Sequence, residues 1–167
     1  MRRLLAILVT LGWAVWFGGT VALFAFVSTL FRESRPIAVD AAPMLFHAFE
    51  RYQLLLAAFG LVCLVLWRVL APSRAIMVAF TFMALAAVAA VLSTTLVTPR
   101  MEALRRQGQS GSPEFRQLHG RSMMFYTSEA ALLLLAGVAL PSAVAAGTVK
   151  PPPAAATPET APDTAAA

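Results

Sequence analysis

The chain has 167 residues, 59% of them hydrophobic and 13% charged, with a mean hydropathy of +0.75. Water-soluble domains run nearer half apolar and a quarter charged, so an ordinary soluble domain is excluded. The net charge of +5 comes from twelve Arg and one Lys against eight acids, but the basic residues stand at the ends of apolar blocks, where they meet lipid headgroups. They form no continuous basic face of the kind a nucleic acid requires, and no nucleic-acid partner is expected.

The first apolar block is Leu4 to Phe31, charge-free and introduced by Arg2 and Arg3. A cleaved leader has an apolar region of roughly 7–15 residues; this one is far longer and carries Trp13, Trp16 and Phe17, so it reads as a retained spanning helix. Gly12 and Gly19 fall on the same face as Trp16, where small residues let helices approach. The tryptophans read as packing or interfacial residues. Residues 32–42 read as a polar link. Pro43 suits a first helical turn, and from there a helix runs to about Ala71, roughly 43 Å at 1.5 Å per residue. That exceeds a hydrocarbon core of about 30 Å, so its first two turns belong to the interface. His47, Glu50, Arg51 and Leu54 recur on one face of it, with Phe46 and Phe49 to the side. Cys63 is the only cysteine, which rules out an intramolecular disulfide or a cysteine metal knuckle.

Ala71-Pro72-Ser73 is a tight turn, with Ser73 as N-cap. So short a connection makes spans two and three an antiparallel hairpin. The third span, 75–98, is rich in Ala and Val, which fits a closely packed helix. Pro99 to Gln107 is a polar link, broken by Gly108 and Gly111. Ser112-Pro113-Glu114 then reads as a helix start, and the last helix runs to about Ala146, with a kink expected at Pro141. After Lys150 the Pro- and Ala-rich residues 150–167 have no face to bury and read as a disordered tail.

The expected fold is thus an all-α four-helix transmembrane bundle over residues 1–149, with spans near 4–31, 52–71, 75–98 and 122–146 and with helices two and four longer than the bilayer is thick. Four spans put both termini on one side and bring His47 and His119, the only histidines, to the opposite membrane face. Arg2, Arg3, Arg68, Arg74 and Lys150 mark the terminal side and eight Arg the other; that count opposes the usual dominance of the first helix. We take the terminal side as cytoplasmic.

On a wheel of 100° per residue, His119, Ser122, Tyr126 and Glu129 share about 80° of arc and Arg121 points elsewhere. An ionisable group inside a span faces the bundle interior, a cavity or a partner, which makes Glu129 the most informative residue in the chain. One reading makes it a carboxyl hydrogen-bonded to a Ser or Thr of helix three; the other makes it a proton- or ion-handling group. His47, Glu50 and Arg51 form a second candidate cluster. His47 and His119, with Glu50, offer nitrogen and oxygen donors to a metal, but without a repeated ligand spacing. No histidine pair lies deep enough for haem, and no cofactor is expected. No nucleophile triad, P-loop or dinucleotide fingerprint occurs, so the chain does not read as an enzyme.

Three segments carry a family resemblance: WFGGTVALFAFVSTLF from Trp16 to Phe31, LFHAFERYQLL from Leu45 to Leu55, and FRQLHGRSMMFY from Phe115 to Tyr126. They resemble the bacterial members of the transmembrane protein 205-like family, membrane proteins with a domain of unknown function (4149). Ser28-Thr29-Leu30 before Phe31, and Tyr126, depart from the family pattern; His119 and Ser122 match it. The resemblance implies a four-helix protein of the bacterial inner membrane and brings no activity with it. Two functions follow as expectations. One is a structural or interaction bundle whose partners are the bilayer and a second copy or another membrane protein. The alternative is a small ion-, proton- or metal-handling protein using Glu129, His119 and His47.

Overall fold

The computed structural model describes residues 1–148, the side chains of 146–148 excepted, so the expected tail at 150–167 lies outside the described residues. Every described element is helical: α1 Arg2–Glu33, α2 Arg35–Leu70, α3 Arg74–Leu92, a π-helical turn Ser93–Val97, α4 Thr98–Arg106 and α5 Pro113–Thr148. Four helical stretches are long and apolar enough to cross a membrane: Arg2–Glu33, Arg35–Leu70, Arg74–Arg106 and Pro113–Ala145.

The boundaries follow local chemistry, and three differ from the sequence reading. The expected polar link at 32–42 is almost entirely helix. Only Ser34 separates α1 from α2, with extended backbone at φ −153° and ψ 98°, and its N–H bonds the Leu30 carbonyl at 2.9 Å. Pro36 sits in the first turn of α2, where its missing N–H is no loss, and Ile37 to Ala42 then propagate the helix. Pro43 therefore lies inside α2, deleting one ladder bond rather than starting the helix. The polar link expected after residue 98 is likewise helical, because Pro99 stands in the first turn of α4. The joint with α3 is the wide turn Ser93–Val97, a form that inserts one residue into the ladder and recurs at functional sites. Third, α5 runs through Pro141 to Thr148, slightly beyond the expected end.

The caps fall where the side chains dictate. The Ile76 N–H donates to Ser73 Oγ at 3.2 Å, and the Phe115 N–H to Ser112 Oγ at 3.1 Å. α4 ends on Gly108, φ +71°, with Gly108 N–H to Arg105 O at 3.0 Å and Gln109 N–H to Leu104 O at 2.9 Å. These two bonds are the C-terminal glycine motif that satisfies the last carbonyls of a helix.

The helices pack in a ring, α1 on α2, α2 on α3, α3 on α5 and α5 back on α1, so α2 and α5 face each other across the bundle axis. α3 contributes buried Ala79, Ala86 and Ala90, whose small size permits the close approach of α5. A Cβ on Gly19 would lie 2.9 Å from Phe49 Cε2, which explains the glycine expected there. At the other seam of α1, the Trp13 indole packs against Gly137 of α5 and donates to Leu133 O at 2.7 Å. The core holds Val9, Trp16, Leu64, Trp67, Ile76, Met83 and Leu133, while Leu55, Val62, Val69, Val88 and Val138 point outward. Helices apolar on both faces suit hydrocarbon surroundings, and the fold is an all-α four-helix membrane bundle.

Candidate functional site

The apolar core is interrupted near the end of the bundle that carries the links at Ser34 and at 107–112. There Glu50 of α2, 3% exposed, meets Tyr126 of α5, 1% exposed, across the bundle axis. The Tyr126 hydroxyl donates to Glu50 Oε1 at 3.2 Å, and Thr98 Oγ1 donates to the same oxygen at 2.5 Å. The other Glu50 oxygen stands 3.5 Å from His47 Nδ1, one turn earlier on α2. The far ring nitrogen of His47 contacts Glu102 of α4. A neutral imidazole has one N–H, so only the cationic ring donates toward both carboxylates. The side chains of His47 and Glu102 are both more than a third exposed, so this end of the chain of contacts is open.

One turn deeper on α5 lies Glu129, fully buried. The Trp16 indole N–H of α1 donates to Glu129 Oε1 at 2.8 Å, while Oε2 has no partner. The wheel therefore aimed Glu129 correctly at the interior, but its partner is a tryptophan of helix one and not a Ser or Thr of helix three. The reading of Trp16 as packing alone missed this donor. Gln53, three residues after Glu50, is fully buried with both amide atoms unpartnered, and the Ser93 hydroxyl in the π turn is likewise buried and alone.

Glu129 lacks a basic partner, and Glu50 has only His47 beside it: among the described residues the ion pairs are those of His47 with Glu50 and Glu102. Arg51, expected beside His47 and Glu50, is exposed and lines with both of them a recess of about 190 Å³, together with Thr98, Glu102 and Arg106. An unneutralised carboxyl such as Glu129 inside an apolar bundle is expensive as an anion, about 2.5–3.5 kcal/mol even on the mildest insertion scale.

The structure divides the face expected from the wheel. Ser122 is half-buried and Tyr126 and Glu129 are interior, but His119 is exposed, its ring stacked on Phe115 with centroids 6.4 Å apart and 3° between planes. His47 and His119 do open onto one groove, of about 600 Å³, whose floor carries Glu50 and Tyr126 and whose walls include Phe24, Phe46 and Met123. Ring contacts of Tyr126 with Phe24 at 6.0 Å and Phe46 at 5.2 Å hold its hydroxyl on Glu50. Among the described residues no group of three or more His, Cys, Asp or Glu side chains is arranged to hold a metal.

Sequence reasoning missed Trp16, Gln53, Thr98 and Glu102. Gln53 was legible, as a polar residue one helical turn after Glu50 inside a span. Glu102 was hidden because its segment read as a link, and Thr98 because it read as the closing residue of the third span.

An apolar four-helix bundle with buried carboxyls on its axis defines an integral membrane protein. The chain belongs to the family described as Domain of unknown function (DUF4149), whose model matches residues 11–110. That match takes in Trp16, His47, Glu50, Gln53, Thr98 and Glu102 and stops short of Tyr126 and Glu129. No curated protein and no solved structure matches the chain.

Proposed function

We propose that this is a small proton- or ion-handling protein of the bacterial inner membrane, built around a polar half-channel from the link end to Glu129. The observation that carries the reading is the fully buried carboxyl of Glu129, placed inside the bundle without a basic partner one turn beyond the buried Glu50. A carboxyl retained there at such a cost is a functional group by default, taking up and releasing a positive charge. Glu102, His47, Glu50 and the Tyr126 hydroxyl supply the relay, each group a donor, an acceptor or both. Beyond Glu129 the axis is closed by Leu64, Met83 and Leu133, so passage to the far side requires the helices to rearrange. Four spans are few for such a motion, and the working unit is a homo-oligomer in the bilayer. Both termini are cytoplasmic, and the chain is not an enzyme.

A purely structural bundle is the second reading, favoured by the same diagonal bond between Tyr126 and Glu50, since satisfied buried polar groups also specify a fold. Proteoliposome flux separates the two. Full-length protein facing an imposed pH gradient is expected to dissipate it, and Glu129→Gln, which keeps shape and the Trp16 bond, to lower the rate about tenfold or more. Equal rates in protein-free liposomes and in both proteins would leave the structural reading standing.

A further inference from the structure

We infer that the groove between the α1–α2 pair and the α4–α5 pair binds a long-chain fatty acid, with its carboxylate on Arg35 and Arg105 at the link end and its chain along the apolar walls. The inference concerns the mouth and walls of the groove and stands whether or not Glu129 takes up protons.

The groove is assembled from one face of each of four helices. α1 packs on α2 and α4 on α5, and the space of about 600 Å³ between the pairs is lined from all four. That volume lies within the roughly 300–1,000 Å³ of ligand pockets. On α4 the lining residues Thr98, Met101, Glu102 and Arg105 recur at i, i+3, i+4 and i+7, a single helical face. On α5 the lining runs from Phe115 to Tyr126, eleven residues or about 16 Å along the axis. An elongated space of that length suits one extended hydrocarbon chain. Phe24 and Phe46 close its inner end through their ring contacts with Tyr126, and Val27, Phe31 and Met123 add apolar wall. The polar groups at the inner end are already satisfied. Glu50 Oε1 accepts from Tyr126 and Thr98, and the other oxygen faces His47. A ligand's polar head therefore belongs at the mouth.

The mouth selects an anion. Arg35 directly follows the Ser34 link and Arg105 closely precedes the link at 107–112, which places both at the level where basic side chains meet headgroups. Both line the groove, and neither belongs to the ion pairs among the described residues, which are those of His47 with Glu50 and Glu102. The Arg105 guanidinium lies 5.9 Å from the centroid of the Phe115 ring, a cation–π contact that holds the group and leaves its N–H donors for a ligand. Arg35, Arg105 and the cationic His47 ring face Glu50 and Glu102 across the groove, which leaves one positive charge over. One carboxylate balances it, and the guanidinium fork matches a carboxylate in geometry. A neutral alcohol of the same length leaves that charge unanswered. A diacyl phospholipid has a second chain to which the groove offers no wall.

The test is equilibrium binding of ¹⁴C-palmitate to full-length protein in a neutral detergent, with unlabelled palmitate, hexadecanol and phosphatidylglycerol as competitors. Saturable binding is expected, displaced by palmitate and about tenfold less well by the other two. Arg35→Gln and Arg105→Gln are each expected to weaken binding about tenfold, the loss of one charge-assisted hydrogen bond. Met123→Trp, which fills the groove from a position 38% exposed, is expected to weaken it as well. Arg100→Gln, on α4 but outside the groove lining, and Glu129→Gln are expected to bind as wild type does. Unfolding temperatures within about 2 °C of wild type establish that the groove variants are folded. Absence of saturable binding, displacement by hexadecanol or phosphatidylglycerol as readily as by palmitate, or binding untouched by both arginine substitutions overturns the site. Proton flux through wild type and Glu129→Gln decides the half-channel separately, whichever way the palmitate result falls.

Discussion

Gly137→Ala tests the seam that brings α1 and its tryptophans onto α5. A Cβ at position 137 would lie 2.8 Å from Trp13 Cε2 and 2.9 Å from Cη2, and closer still to Cζ2. The indole has no free end to swing aside. Its N–H is fixed on Leu133 O at 2.7 Å and its ring stacks on Phe17 with centroids 5.7 Å apart. The seam must therefore open. Overpacking of this kind costs about 1–3 kcal/mol, and losing the indole hydrogen bond about 0.5–1.5 kcal/mol. Replacing Gly by Ala inside a helix returns about 0.8–1.0 kcal/mol. The net is a destabilisation of about 2 kcal/mol, a fall in unfolding temperature of about 4–8 °C at this chain length. Thermal unfolding of the detergent-solubilised protein, followed by circular dichroism, measures it. In a Trp13→Ala background the clash is gone, and Gly137→Ala is then expected to be neutral or stabilising by up to about 1 kcal/mol. An unchanged or raised unfolding temperature for Gly137→Ala in the wild-type background would refute the seam as described.

Tyr126→Phe removes a hydroxyl that donates to buried Glu50; unfolding is expected to ease by about 1–3 kcal/mol, and proton flux in liposomes to fall. Ser73→Ala deletes the α3 cap and is expected to cost about 1 kcal/mol in the same unfolding assay. Gly108→Ala forces a Cβ into a left-handed backbone at φ +71° and is expected to cost about 1 kcal/mol, with no effect on flux because it meets nothing within 4 Å.

Much of the architecture is readable from the residues, for reasons that are themselves physical. Charge-free runs longer than a bilayer fix the number of spans, and Ser73 and Ser112-Pro113-Glu114 mark two helix starts because a cap is a property of neighbouring residues. Prolines misled at Pro43 and Pro99, since a proline serves equally as a first-turn residue and as a tolerated interior one, and only the neighbouring turns decide. Glu129 declared itself because a carboxyl among apolar residues has no ordinary explanation. Its partner did not, because Trp16 lies 113 residues away and a tryptophan in a span is equally good packing material. The bond between Glu50 and Tyr126 was out of reach for a related reason: it depends on the ring order that puts α2 opposite α5. His119 shows the limit of a helical wheel, which places a residue within an arc but does not say where the packed face ends.

The central claim is that a proton from water at the link end reaches Glu129. The most direct measurement is infrared difference spectroscopy of the full-length protein in lipid after a pH jump, following the carboxyl C=O stretch. The account predicts a carboxyl protonation band that is absent in Glu129→Gln and rises more slowly in His47→Ala. A spectrum without that band, or one that Glu129→Gln leaves unchanged, would contradict it.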